Sequence, residues 1–361
     1  MSLRGRVVVA LLVFELVCLR ICSAQAATGV TLTLVESHPG PVITKGTPGA
    51  QDNRYGFEGG TAVKIGDTYH LATTEMPGDP FGAKTRMAHW VSRDRIHWSR
   101  VSTLYESSAE CDGRDPRAAL WSPMLVYDDG GSRWNLFYVA YKCLPNTPTQ
   151  WLTGYHGEIW RAVSESKGLE GIGGPYEDLG VIMRPDAESE WWEGLQGADS
   201  FYPYRVGSAW YAFYGSANTE KVPIQHWRVG LAKAPWLAGP WKRLPKLNPV
   251  DFEKVYQENP VVTRASDGTY LAVYARAAIP GIGGNPTTVG YSTSRDGIHW
   301  SKGAGVDLQP APATHWANRI NTPLGLIPEG NGAFTLFYAG IVEPPYYESI
   351  GFATLRLQHT R

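Results

Sequence analysis

Three acidic residues stand at comparable places in the chain, each at the start of an apolar stretch. They are Glu58, Asp199 and Glu258. Carboxylates that share a pocket repel one another, and this repulsion raises the pKa of at least one of them. Glycoside hydrolysis needs a protonated and an ionised carboxyl on opposite sides of the scissile bond. The three acids are therefore the candidate catalytic residues.

The segments that would position these acids are repeated along the chain. The octapeptide Ser92 to Ser99 recurs as Ser294 to Ser301, with a difference only at Arg95 and Gly297. A turn followed by alternating aromatic and aliphatic residues occurs five times, at 66–71, 133–138, 208–214, 267–274 and 332–338. Alternation after such a turn is typical of a β-hairpin, and a recurring unit indicates a repeat architecture.

Each of the five units opens with a short polar or Pro-containing group. These groups lie at 57–59, 121–123, 198–200, 257–260 and 321–323. A unit of roughly 67 residues, repeated five times, predicts an all-β, five-bladed β-propeller over residues 27–361 as a single domain. In a propeller the inner strands start at the central axis, so their opening residues converge. A β-sandwich is the structural alternative, but it would not explain five similar units.

Two of these motifs resemble those of glycoside hydrolase family 43 and its five-bladed relatives, including family 32. The group Trp121-Ser122-Pro123 resembles the Trp-Ala-Pro of family 43, and the segment 294–300 matches its Ser-x-Asp-Gly-x-x-Trp pattern. The resemblance implies a catalytic base on the first blade, a pKa-modulating aspartate on the third and an acid on the fourth. By blade order these are Glu58, Asp199 and Glu258. The sequence departs from family 43 in having Glu instead of Asp on the first blade, and it lacks the Asn-Asp-Pro-Asn-Gly opening of family 32.

Further residues are candidates for contacts with a sugar. Trp121 is the best candidate for stacking on a sugar face, and Arg54 and Arg319 could orient the carboxylates or the sugar. The glycines that follow Glu58, Gly59 and Gly60, would let a ligand approach the backbone. The nine histidines show no paired metal-ligand spacing. We therefore predict neither a cofactor nor a catalytic metal, and a structural cation at the axis stays open.

The leading hypothesis is a hydrolase that cleaves plant or algal polysaccharide fragments, with α-L-arabinofuranoside or β-xyloside as the substrate implied by the resemblance. The alternative from another class is a propeller that binds carbohydrate without cleaving it. Transfer to phosphate or to another sugar is a third possibility, but no basic phosphate cradle is visible in the sequence. The resemblance also implies an inverting mechanism, in which Glu58 activates a water molecule.

The first residues and the composition of the chain predict export to an extracellular or periplasmic location. Arg4 and Arg6 precede an apolar run that ends before small residues, which predicts a secretory signal peptide at 1–26. Cys111 and Cys143 then remain, and they are expected to form a disulfide, with two free thiols as the alternative. The formal net charge is −1, and no Lys/Arg-rich run is present. We therefore expect a secreted monomer whose partner is a carbohydrate and which binds neither nucleic acid nor a membrane.

Overall fold

The computed structural model describes residues 29–147, 150–217, 227–254, 256–277, 288–308, 316–317, 321–342 and 346–359. The predicted signal peptide at 1–26 lies outside these residues, as does Arg319. The described chain is almost entirely β, and its one 3₁₀ helix spans Leu169–Gly173. No helix in the described ranges is long and apolar enough to cross a membrane.

Twenty strands form five antiparallel sheets of four strands, and the predicted five-bladed β-propeller is confirmed. From the inside outward, blade one consists of β2 (Phe57–Ile65), β3 (Thr68–Glu75), β4 (Arg86–Ser92) and β5 (Ser99–Glu106). Blade two consists of β6 (Ala119–Asp128), β7 (Arg133–Thr147), β8 (Gln150–Ser164) and β9 (Tyr176–Met183). Blade three consists of β10 (Phe201–Val206), β11 (Ala209–Ala217), β12 (Trp227–Ala234) and β13 (Lys242–Arg243).

The last two blades follow the same order. Blade four consists of β14 (Tyr256–Arg264), β15 (Tyr270–Ala277), β16 (Thr288–Ser294) and β17 (Ala304–Asp307). Blade five consists of β18 (Asn321–Gly330), β19 (Ala333–Val342), β20 (Tyr347–His359) and β1 (Val30–Ser37). The outer strand of blade five therefore comes from the start of the chain, and β1 pairs with β20 from Val30 opposite His359 onward. This pairing joins the two ends of the described chain and closes the ring of sheets.

The alternating motif forms the second strand of every blade. In four blades it ends in a tyrosine whose side chain is fully buried between sheets: Tyr138, Tyr214, Tyr274 and Tyr338. Large aromatic rings fill the space between twisted sheets and remove much apolar surface from water. The aromatic positions of the repeat therefore build the core, while the polar openings of the inner strands are left to build the site.

The duplicated octapeptide forms the turn between the third and fourth strands of blades one and four. In blade one, Asp94 Oδ1 accepts hydrogen bonds from the backbone N–H groups of Ile96 and His97. Asp296 makes the same bonds in blade four. An aspartate that satisfies the backbone of its own turn stabilises that turn. The repeat is thus structural.

The disulfide predicted between Cys111 and Cys143 is present. It connects the segment before β6 to β7, with 4.3 Å between the two Cα atoms. The backbone N–H of Gly113 donates a hydrogen bond to the carbonyl oxygen of Cys143 at 2.9 Å. The segment before β6 is therefore joined to β7 by a covalent bond and by a backbone hydrogen bond.

Candidate active site

The inner strands of four blades contain an irregularity near the residue that opens them. The pairing register shifts between Glu58 and Gly60, between Trp121 and Met124, between Glu258 and Val261, and between Pro323 and Gly325. In the first three of these blades, the residue directly after the start of the shift has a left-handed backbone conformation. The φ angles are 63° at Gly59, 51° at Ser122 and 48° at Asn259. A β-bulge redirects side chains and interrupts pairing, and bulges often occur beside active sites.

The glycines after Glu58 serve protein packing instead of the ligand contact expected from the sequence. A Cβ on Gly59 would lie 2.5 Å from the hydroxyl oxygen of Ser122, and a Cβ on Gly60 would lie 2.0 Å from the carbonyl oxygen of Ala72. These contacts leave no room for any side chain. The prediction that Gly59 and Gly60 open the backbone to a ligand is therefore wrong, because both positions face other strands.

Glu58, Asp199 and Glu258 line one cavity of about 140 Å³, together with Trp121. The other residues around this cavity are Ser122, Tyr141, Gly154, Gln196 and Asn259. Asp199 and Glu258 are buried, and Glu58 opens onto the cavity from the start of β2. The structure thus brings the three predicted acids together from blades one, three and four.

Asp199 is held just before β10 by contacts with blade two. The hydroxyl of Tyr141 donates a hydrogen bond to Asp199 Oδ1 at 3.0 Å, and the Gln196 amide nitrogen donates to that hydroxyl at 3.3 Å. The other carboxyl oxygen, Oδ2, is buried and has no hydrogen-bond partner among the described residues. The backbone N–H of Asp199 donates to the carbonyl of Gly215 at 3.0 Å. The carboxyl group is therefore held in place by a tyrosine from another blade.

Glu258 is held by a residue of its own strand. The hydroxyl of Tyr256 donates a hydrogen bond to Glu258 Oε2. The Tyr256 ring packs against Trp227, with 5.3 Å between ring centroids. Residues two apart on a strand point to the same face, so Tyr256 lies beside Glu258 as a direct result of its position in sequence.

Burial raises the pKa values of all three acids, and repulsion from neighbouring carboxylates adds to this rise at Glu58 and Glu258. Burial, followed by the charge of Asp199, raises the pKa of Glu58 to about 7. Burial, followed by the charges of Asp199 and Glu58, raises the pKa of Glu258 well above its usual range. Burial also raises the pKa of Asp199, although hydrogen bonds from Glu258 and then Tyr141 oppose that rise. Among the described residues that line the cavity there is no Lys or Arg to offset these charges. The cluster therefore keeps protons at neutral pH.

A fourth acid, Glu348, was not predicted from the sequence. Its side chain is fully buried at the start of β20, and the hydroxyl of Tyr346 donates a hydrogen bond to Oε1. Its backbone N–H donates to the carbonyl of Tyr55 at 3.0 Å, and its backbone pairs with Gly56. Gly56 is necessary here, since a Cβ would lie 2.0 Å from the Glu348 carbonyl oxygen. Burial, followed by the charge of Glu58, raises the pKa of Glu348 well above its usual range.

Of the predicted sugar-contact residues, Trp121 lies at the cavity and Arg54 does not. The Trp121 ring lines the cavity, and its indole N–H donates to the carbonyl of Gly82 at 3.1 Å. Arg54 does not line the cavity: its side chain is 59% exposed and forms an ion pair with Asp79. The prediction that Arg54 orients the carboxylates is therefore not supported by its contacts. Arg319 lies outside the described residues.

Four residues of the site were not predicted from the sequence: Tyr141, Gln196, Tyr256 and Glu348. The signal for Tyr256 was present, because it precedes Glu258 by two residues in a strand. Glu348 offered a weaker signal, as an acid within an otherwise apolar strand start. The rule that identifies acids at the openings of inner strands does not apply to Glu348, because β20 is the third strand of its blade.

The described residues contain no group of three or more His, Cys, Asp or Glu that could hold a metal ion. Within these ranges, the structural cation considered at the propeller axis therefore has no cluster of such ligands to bind it.

No protein-family model and no curated protein matches the sequence. Solved structures share its fold. A glycoside hydrolase structure has a TM-score of 0.63 and 16% identity over 90% of this chain and 92% of that one. A thermostable family-43 glycoside hydrolase has a TM-score of 0.51 and 13% identity, covering 88% of this chain and 97% of that one. The α-L-arabinofuranosidase PaAbf62A from Podospora anserina, in complex with cellotriose, has a TM-score of 0.56 and 12% identity, covering 91% and 98%. These likenesses establish the fold.

Proposed function

We propose that this protein is a secreted glycoside hydrolase whose acid–base chemistry is carried out by Glu58, Asp199 and Glu258. The observation that carries the proposal is the cavity in which these three carboxyls meet with no described cation among its lining residues. Such a site holds a proton at neutral pH and favours a positively charged transition state. Both properties suit cleavage of a glycosidic bond, which passes through an oxocarbenium-like state.

Glu258 is assigned as the general acid. Its pKa is raised well above the usual range by burial and by two neighbouring carboxylates, so it stays protonated at neutral pH. The hydroxyl of Tyr256 holds one of its oxygens and limits the rotation of the carboxyl group. A protonated, oriented carboxyl can donate its proton to the leaving oxygen.

Glu58 is assigned as the general base and Asp199 as the modulator. The pKa of Glu58, at about 7, lets it ionise within the neutral range while Glu258 is still protonated. Asp199 keeps the pKa of Glu258 high through its charge. Trp121 provides an aromatic wall against which the apolar face of a sugar ring can pack.

The proposed substrate is a plant or algal poly- or oligosaccharide, with an α-L-arabinofuranoside or β-xyloside as the first choice. The family-43 resemblance of the Trp121-Ser122-Pro123 and 294–300 motifs supports this choice. So does the likeness of fold to an α-L-arabinofuranosidase. Transfer to phosphate is disfavoured, because a phosphate beside three carboxylates would need compensating cations, and the described lining residues include none.

The proposal is tested by incubating the purified protein with a panel of 4-nitrophenyl glycosides and plant oligosaccharides. We expect release of sugar from at least one arabinofuranoside or xyloside, and a large loss of that activity in Glu58→Gln. Glu329→Gln is the matched control, because Glu329 is a partly buried carboxyl bonded to Lys64 and Tyr69 outside the cavity. Binding of oligosaccharides without hydrolysis would instead establish the non-catalytic alternative. Neither binding nor hydrolysis on the whole panel would overturn both.

A further inference from the structure

A second concave surface lies on blade three, at the opposite ends of the strands from the cavity. β10 runs from Phe201, just after Asp199, to Val206, and the groove begins at the turn that follows. It has a volume of about 820 Å³ and includes the turn between β12 and β13. This groove is therefore separated from Asp199 by the length of the inner strand.

The groove contains an exposed tryptophan on a defined turn. The Trp236 side chain is 72% exposed, and its carbonyl accepts a hydrogen bond from the N–H of Gly239 at 2.9 Å. Pro235 and Pro240 also line the groove, and Trp241 packs beneath it against Phe201 with ring centroids 4.9 Å apart. The backbone is thus fixed on both sides of an indole ring that contacts solvent. A solvent-exposed indole on a rigid support is suited to stacking on a flat ligand face.

The charged residues of the groove are all basic. Arg205, Lys233 and Lys242 line it, and none of the three forms an ion pair with any described residue. A fourth cation, Arg243, is neutralised by Glu193 and Asp186.

Two of the free cations are seated on aromatic rings of the neighbouring strand. Arg205 lies over the Trp210 ring at 5.7 Å, and Lys233 lies over the Tyr211 ring at 5.3 Å. Each cation is paired across strands with the residue whose ring it covers. A cation on a ring face is held in place while its remaining N–H groups face solvent. The groove therefore presents two cations that are held on aromatic rings, together with Lys242 and one exposed indole.

We propose that this groove is a non-catalytic binding site for an anionic polysaccharide that contains uronic acid residues. Sugar rings stack on Trp236, and their carboxylates bind Arg205, Lys233 and Lys242. The charge complementarity selects this occupant: the described lining has three uncompensated cations and no acid, in a protein whose formal net charge is −1. A neutral glycan would leave these cations without a partner. The site would hold the protein on its polymer while the cavity on the other face stays free.

The experiment is affinity electrophoresis of the full chain in native gels that contain sodium polygalacturonate, dextran or double-stranded DNA. We expect retardation in polygalacturonate only, and weaker retardation as NaCl is added, because exposed charges are screened. Trp236→Ala should weaken binding roughly tenfold, and Lys233→Gln with Lys242→Gln should weaken it at least as much. These residues are exposed, so an unchanged melting temperature will show that the variants are folded.

Trp191→Ala is the matched control. Trp191 is 71% exposed and has Arg228 over its ring at 5.2 Å, but Arg228 is neutralised by Asp251. Retardation equal to wild type in this control, with loss in Trp236→Ala, supports the proposal. The proposal is overturned if both variants lose retardation equally, or if DNA retards the protein as much as polygalacturonate does. It is also overturned if Trp236→Ala is retarded as strongly as wild type. The readout does not require hydrolysis, so its failure is separable from failure of the proposed enzymatic function.

Discussion

The hydroxyl of Tyr141 donates its hydrogen bond to Asp199 Oδ1 across the boundary between blades two and three. This contact favours the ionised form of Asp199, which burial opposes. The degree to which Asp199 is ionised matters, because its charge keeps the pKa of Glu258 high. The proton on the proposed acid is therefore controlled by a tyrosine from another blade.

Replacement of Tyr141 tests this control. In Tyr141→Phe the pKa of Asp199 should rise, because its carboxylate loses a donor. Asp199 then carries less negative charge, the pKa of Glu258 falls, and the upper limb of the pH–kcat/KM profile should move to lower pH. Tyr176→Phe is the control, since Tyr176 is also buried and its hydroxyl donates only to the carbonyl of Ile172. Both variants should lose about 1 kcal/mol of stability. A profile shift in both variants, or in neither, would contradict the assignment.

Replacement of Asp199 itself acts on the same limb, without the intermediate effect of Tyr141. Asp199→Asn removes a negative charge beside Glu258, so the pKa of Glu258 should fall. The upper limb of the pH profile, which reports the protonated acid, should then move to lower pH. The measurement is kcat/KM across the pH range with one substrate, and an unchanged upper limb would remove Asp199 from its modulator role.

Replacement of Glu348 should stabilise the protein, and the gain should depend on pH. The pKa of Glu348 is raised in the folded state. Above pH 4.5 the unfolded chain releases a proton that the folded protein keeps, so the free energy of unfolding falls as pH rises. Glu348→Gln needs no such proton. It should match wild type below pH 4.5 and be more stable at pH 7, on the order of 1–3 kcal/mol. Urea unfolding at several pH values measures the difference.

The control for this prediction is Glu75, another fully buried carboxyl. Glu75 is bonded to Arg86, Arg100 and the indole N–H of Trp90. Glu75→Gln leaves Arg100 without a carboxylate partner, while Arg86 keeps its ion pair with Asp52. It should destabilise the protein by about 3 kcal/mol at pH 7. If Glu348→Gln destabilises the protein to the same extent, the Glu348 carboxyl stabilises the fold and does not add to the repulsion among the buried carboxylates.

Several features of the fold were predictable because they are local in sequence. The alternation in 133–138 and 208–214 predicts strands by itself, and Glu58 and Glu258 open strands that chain order assigns to blades one and four. The pairing of β1 with β20 was not predictable in this way, since it joins residues more than 300 positions apart and neither strand carries a distinctive motif. Gly59 illustrates a different failure: the sequence suggested a ligand as the reason for the glycine, but the Ser122 side chain that excludes a Cβ comes from another blade.

The site was predictable to a similar degree. Acid residues at strand openings identify Asp199 and Glu258, because the propeller geometry brings such openings to one axis. Glu348 lies on the third strand of its blade, so the same rule excludes it, and only tertiary packing against Gly56 places it near Glu58. Arg54 shows the opposite error: it precedes the strand that contains Glu58 but pairs with Asp79 at the surface.

The stereochemistry of the reaction is a further prediction. Glu58 as a base that activates water implies inversion, which requires roughly 6.5–9.5 Å between the Glu58 and Glu258 carboxyls. Proton NMR of the first-formed sugar should therefore show the anomer opposite to that of the substrate. Retention of configuration, or a covalent glycosyl adduct on Glu58, would assign Glu58 as a nucleophile and leave the carboxylate cavity in place.

The proposed hydrolysis depends most on Glu258 as the proton donor, and the dependence of rate on the leaving group tests this role most directly. Protonation helps a poor leaving group far more than an activated one, so Glu258→Gln should lose about 10²–10⁴-fold on a natural oligosaccharide and much less on the matching 4-nitrophenyl glycoside. The measurement is kcat/KM on both substrates for wild type and Glu258→Gln. Equal losses on the two substrates, or no loss on either, would contradict the assignment of Glu258 as the acid.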